Sequence, residues 1–244
     1  MQQPFLSKNL FPSVSLSVPQ SYLGTWRRTL LEQGDTQDTT TVVLWVQTEK
    51  YHADIRIPLS RPAFGVVNQL KEYSYDQLIS LAAQQGFTGI TQVKNNIAEW
   101  LRDHDYQPSN SQRDIAEMHF ENDDVLIEKG VEADYFERWE RIPNSHLNLS
   151  MMECEGKDRH ANKVNARLFR SNNLFAYVRP RSKRLPPAEN ISDLIDFYQP
   201  SKEELLDWLD FEISFGEIKD ENEGYITHST FPFREGETVK LNEL

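Results

Sequence analysis

The sequence predicts a mainly β protein made of two tandem antiparallel β-barrel domains that arose by internal duplication. Three observations predict it. Residues 45–61, WVQTEKYHADIRIPLSR, return in outline at 168–184, LFRSNNLFAYVRPRSKR, at a constant offset of 123 residues. Ala53, Arg56 and Arg61 recur as Ala176, Arg179 and Arg184, and apolar character recurs at Trp45/Leu168, Val46/Phe169, Tyr51/Leu174 and Ile55/Val178. A repeat this long indicates two copies of one small domain and not a short-period solenoid. Each copy also shows the same order of elements: strands, a hairpin, helix, then strands. Finally, 244 residues give room for two domains of about 110 residues, and five Trp, nine Tyr and thirteen Phe supply a core for each.

The elements follow in order. Pro4, Pro12 and Pro19 exclude a helix near the start, so residues 1–19 read as an extended arm. The first domain, 20–133, opens with Tyr22-Leu23-Gly24-Thr25-Trp26 and a first strand ending at the Gly34-Asp35 turn. The run Thr39–Thr48 is rich in β-branched residues, as strands are. Glu49-Lys50 makes a two-residue turn, and Tyr51–Ile57 returns before Pro58. A helix capped by Ser74, with Gln77 completing a capping box, buries Tyr75, Leu78, Ile79 and Ala82 and ends before Gly86. Strands are expected at 86–93, 96–106, 113–120 and 125–131. The second domain, 134–244, starts near Asp134, and Trp139-Glu140-Arg141 there echoes Trp26-Arg27-Arg28. Its hairpin turns at Asn172-Asn173, a pair that tolerates left-handed turns. Short helices at 192–198 and 202–209 follow, the second with a Ser201/Glu204 capping box. Strands at 211–218 and 224–231 complete the copy.

A net charge of −12 disfavours nonspecific binding to nucleic acid. Arg179, Arg181, Lys183 and Arg184 form the one basic stretch and read as a solvated turn, with an anion site as the alternative. The single Cys154 permits no internal disulfide and fits a reducing compartment. No stretch approaches the ~20 apolar residues of a membrane span, and the N-terminus lacks a signal-peptide core. The expectation is a soluble, cytoplasmic protein.

With Glu49-Lys50 as the turn, alternation sorts the hairpin into two faces. Leu44, Val46, Ala53, Ile55 and Ile57 form an apolar face. Gln47, His52, Trp45, Asp54 and Arg56 form a mixed one. Either the mixed face meets water and Asp54–Arg56 is an ordinary surface pair, or it lines a barrel interior, with Trp45 as a cavity wall and Arg56 as anchor for an anionic or carbonyl group. The second copy places Tyr177 and Arg179 on the equivalent face. No phosphate loop, CxxC, HExxH or nucleophile elbow occurs. Asp103-His104-Asp105 cannot converge on one metal, because neighbours on a strand alternate faces. Cys154, between two glutamates, has a raised pKa and is no reactive thiolate.

Gly24-x-Trp26 with Arg28 resembles the opening of lipocalins and other calycins. With LWVQTEKYHADIRIP and the Thr-Phe-Pro at 230–232, the chain is similar to a family of two-barrel, lipocalin-like proteins of unassigned function in bacteria and fungi. The resemblance covers most of residues 20–240 and implies tandem barrels in which Trp26 closes one end beneath an arginine. It implies no reaction.

The reading is therefore non-enzymatic binding of a small, anionic or carbonyl-bearing ligand, with Trp45, Gln47, His52, Asp54, Arg56, Tyr177 and Arg179 as candidate contacts and no metal or cofactor. A protein-interaction or scaffold role is the first alternative. The second is a cavity isomerase, cyclase or lyase with Asp54 or His52 as base and Arg56 stabilising negative charge.

Overall fold

A computed structural model describes residues 17–62, 65, 67–109 and 112–244. Most of the expected N-terminal arm, up to residue 16, lies outside these residues. Nine strands form the first sheet: β1 Gly24–Gln33, β2 Thr36–Asp38, β3 Val42–Gln47, β4 Tyr51–Ile57, β5 Gln85–Lys94, β6 Ile97–Asp105, β7 Ile115–Asn122, β8 Val125–Gly130 and β9 Phe136–Arg141. Eight of them close a barrel, because β9 pairs antiparallel both with β8 and back on β1, as in Trp26↔Arg141 and Arg28↔Trp139. β2 is a short flap on β1. Closure removes the exposed sheet edges.

The second sheet is a six-stranded meander: β10 Ser150–Lys157, β11 Lys163–Ser171, β12 Leu174–Arg179, β13 Glu212–Ile218, β14 Glu223–Ser229 and β15 Thr238–Lys240. It curls into a half-barrel without closing. Helix α1, Tyr75–Leu81, joins β4 to β5; α2, Ile191–Tyr198, and α3, Lys202–Leu209, join β12 to β13. Both expected capping boxes form, at Ser74/Gln77 and Ser201/Glu204. Leu78, Leu81 and Ala82 carry the buried side of α1, while Ile79 is exposed.

One expectation needs correcting. β9, placed at the head of the second copy, closes the first barrel instead. Trp139 and Arg141 thus share a core with Trp26 and are not its counterparts in a second domain. The first sheet runs to Arg141, and the second begins at Ser150.

The two central hairpins are alike in register. β3 and β4 pair Trp45↔Asp54 and Val46↔Ala53. β11 and β12 pair Leu168↔Tyr177 and Phe169↔Ala176, at the same offset on both strands. They pack with their apolar faces together. Leu44, Val46, Ala53, Ile55 and Ile57 join Phe169, Ala176, Val178, Ile213 and buried residues from all three helices in one core. This seam is the largest apolar region of the molecule. At Gly86 a Cβ would lie 2.5 Å from Ile213 Cδ1 and 2.6 Å from the Asp54 carbonyl oxygen, so the close approach there needs glycine. Polar staples flank the seam. Arg167 holds Asp103 at 2.8 Å, Arg61 holds both Glu235 oxygens at 2.7 and 2.8 Å, and Arg181 donates to the carbonyls of Asp105 and Tyr106. Arg179 is buried as well. The first two arginines of the basic stretch therefore serve the fold and are not a solvated turn.

Candidate functional site

Because the seam takes the apolar face of β3–β4, the mixed face becomes the barrel interior. Trp45 is 2% and Asp54 1% exposed. The interior is filled mainly by indoles. Trp26 stacks on Trp45 at 6.2 Å, and Trp45 meets the edges of Trp100 at 5.8 Å and Trp139 at 5.7 Å. One end is closed by Trp26, Tyr22 and Phe120. There the Arg141 guanidinium lies 4.4 Å over Trp26 and donates to the carbonyls of Leu23, Ser21 and Asp123. The arginine over the tryptophan is thus Arg141 of β9 and not Arg28.

Arg28 belongs to a network toward the other end. It donates to Glu137 at 2.6 Å and to Asp38 at 3.0 Å. Arg56 donates to Asp54 at 2.9 Å and lies 3.9 Å from Glu137. Arg102 lies 3.5 Å over Phe87 and bridges Asp105 and Asp114. Glu128 accepts from the Tyr135 hydroxyl at 2.7 Å. The Arg56 side chain keeps 23% of its surface in water, against 2% for Asp54 and 3% for Glu137.

Burial pushes the Glu128 carboxyl well above the ordinary range, and Glu137 and Asp114 add to the rise. Burial also raises Asp54, with Arg56 pulling the other way. For Arg56, burial disfavours the charge, but Asp54 and Glu137 outweigh it and hold the guanidinium charged. Between these groups lies a gap of about 10 Å³ lined by Trp45, Asp54, Arg56, Asp114, Glu128 and Trp139, with Phe87 and Trp100 completing it. That is room for about one water-sized group, far below the roughly 300–1,000 Å³ of a pocket for a whole small molecule. The indole Nε1–H groups of Trp45 and Trp139 have no protein acceptor.

The candidate residues fall into three groups. Trp45, Asp54 and Arg56 meet at the gap. Gln47 and His52 lie one step toward the turn and share Thr91, whose hydroxyl donates to Gln47 at 2.7 Å and sits 3.0 Å from His52 Nδ1. His52 is fully buried. Burial, then Arg102 and Arg167, lowers its pKa well below the ordinary value. Tyr177 and Arg179 occupy the equivalent face of β12, in the other domain, where Arg179 holds Asp210 at 2.7 Å. They do not reach the barrel gap. Asp103 and Asp105 serve different arginines, Arg167 and Arg102. Burial raises the Cys154 thiol pKa; the neighbouring glutamates are not the main cause.

Sequence reasoning missed Glu128, Glu137, Trp139 and Tyr135. A signal was available: Leu126 with Glu128, and Glu137 with Trp139, are same-face pairs two residues apart on β8 and β9. A core residue beside an acid marks a strand whose polar position also faces inward. Searches of protein-family models, of curated proteins and of solved structures gave no match to this chain.

Proposed function

We propose that the first barrel binds, without turnover, a small ligand that presents a carboxylate or carbonyl oxygen to the gap beside Arg56. The observation that carries this is that Trp45 and Trp139, two of the residues lining a gap with room for one water-sized group, each have a buried indole N–H without a protein acceptor. A buried unpaired donor costs about 1–3 kcal/mol, which a ligand oxygen accepting from either indole would offset. Arg56 would supply charge, and Glu128, whose raised pKa favours the protonated carboxyl, a further donor. The rest of the ligand would lie outside the gap, on the Phe87–Arg102 side. This proposal keeps the calycin likeness, with Trp26 under Arg141 as the closed end and the charged network as the open one. It also reads the two hairpins as copies of one ancestral unit and places the protein in the cytoplasm. A binding role fits better than catalysis, since Asp54 is tied to Arg56 and His52 to Thr91.

The test is a ¹H–¹⁵N titration of the indole resonances with sodium acetate and with acetone, alongside native mass spectrometry of the freshly purified protein. Trp45 and Trp139 should shift while Trp208, outside the barrel, stays still, and Arg56→Met should abolish the acetate response. Indoles that respond to neither probe, with a mass equal to protein plus water alone, would leave water as the occupant and end the proposal.

A further inference from the structure

The first barrel turns its aromatic residues inward, but α2 does the opposite. Its inward side, Ile191, Leu194 and Ile195, is buried, with Ile191 and Ile195 in the seam core. Its last turn leaves Phe197 79% and Tyr198 52% exposed, with the two rings 4.8 Å apart edge to face. Tyr198 in turn meets the partly buried Trp208 of α3 at 6.2 Å. Three aromatic rings therefore form one continuous surface, and two of them lie largely in water. Single exposed apolar residues are ordinary, whereas a contiguous aromatic patch marks an interaction surface.

The charge around the patch decides what fits it. Between Pro186 and Asp210 the chain carries seven acidic residues and one lysine, a net −6 out of −12 for the whole protein. Asp193 and Phe197 are four residues apart and share a face of α2, and Asp196 adjoins Phe197. Neither α2 nor α3 has a basic residue in its last turn, so the negative ends of both helices add to the field. Arg159 answers Glu203 and Asp207 on the α3 side. No described cation pairs with Asp193 or Asp196 in that way. A second copy would set like charge against like, and an anionic membrane surface would be repelled.

We infer that the Phe197–Tyr198–Trp208 face of α2 and α3 docks a cationic amphipathic segment of another protein. Its lysines or arginines would lie over the rings and beside Asp193 and Asp196, and its aliphatic side chains against Phe197. Cation–π contact and charge pairing act on the same side chains in that arrangement. The inference is independent of the barrel gap and survives if the gap holds only water.

The test titrates the full-length protein calorimetrically with a helical peptide of Lys-Leu-Leu-Lys repeats, and with the same peptide carrying Glu for every Lys. The lysine peptide should bind and the glutamate peptide should not. The Phe197→Ser/Tyr198→Ser double variant should bind about tenfold or more weakly, and Asp196→Lys should weaken binding severalfold with a shallower salt dependence. Both variants alter exposed positions, so their thermal midpoints should match the parent. Equal affinity for the two peptides, no binding of either, or an unchanged affinity in the double variant would overturn the inference. So would a concentration-dependent dimer that the double variant abolishes, because the occupant would then be a second copy.

Discussion

The two central hairpins share register and packing but differ in what they enclose. β3–β4 contributes to a closed barrel, and β11–β12 to an open half-barrel. The positions occupied by Trp45, His52 and Asp54 in the first are Leu168, Phe175 and Tyr177 in the second, all turned to the concave side. A closed barrel shields its interior from water all round its wall, so charged side chains there must find partners. Arg56 finds Asp54 on its own strand. The half-barrel is lined mainly by apolar residues, and the equivalent Arg179 takes its partner Asp210 from the end of α3. The arginine recurs, but its counter-ion comes from a different element. Closure concentrates polar chemistry in the first domain, while the second is chiefly a packing platform whose helices also present the aromatic face.

The largest effects should come from the groups that make this arrangement possible. Trp26→Ala removes the plug of the closed barrel and should cost about 3–5 kcal/mol in denaturant unfolding. Phe169→Ala, in the seam and 0% exposed, should cost a similar amount. Because the seam is shared, it should lower the unfolding midpoint of both domains together. Separate transitions, with only the half-barrel weakened, would break the picture of one common core.

Next come the paired arginines. Arg56→Met leaves Asp54 buried without its cation, while Glu137 keeps Arg28, and should cost about 3–5 kcal/mol at neutral pH. Much of that loss should disappear as the pH falls and Asp54, whose pKa burial already raises, protonates. Arg179→Met should be destabilised in the same way at neutral pH, since it leaves the buried Asp210 without its cation. If only one of the two variants is destabilised, the equivalence drawn between the hairpins is wrong.

A smaller effect tests Glu128. Its carboxyl has a raised pKa in the folded state, so the native protein binds more protons than the unfolded chain above the ordinary carboxylate range. The stability it contributes is full below about pH 4.3 and is lost as the pH rises toward the folded value. Glu128→Gln should therefore flatten the decline of stability on the alkaline side and gain most relative to the parent there. His52 works in the opposite direction. Its folded pKa is lowered, so stability should fall as the pH drops through about 6.5. A His52→Gln variant should lose that acid-side slope in thermal melts recorded from pH 8 to pH 5.

What was legible in the sequence was local. The Glu49-Lys50 turn, the register of both hairpins and the two capping boxes depend on a few adjacent residues. Alternation also grouped Trp45, Asp54 and Arg56 correctly, and left open only which side they faced. That side depends on what covers the apolar face, and the cover is a second hairpin 123 residues away. Barrel closure was illegible for the same reason. β9 pairs with β1 more than a hundred residues earlier, and nothing in Phe136–Arg141 distinguishes that pairing from the start of a new domain. The acids of β8 and β9 were missed with it, so of the charged network the sequence grouped only Asp54 with Arg56 and left out Glu128 and Glu137.

The central claim is that the mixed face of β3–β4 is interior, and hydroxyl-radical footprinting read by mass spectrometry tests it most directly. Trp45 and His52 should stay unoxidised in the folded protein under doses that modify Phe197 and Tyr198 readily, and should become reactive on unfolding. Oxidation of Trp45 in the folded state at a rate comparable with Tyr198 would put that face in water and contradict the account.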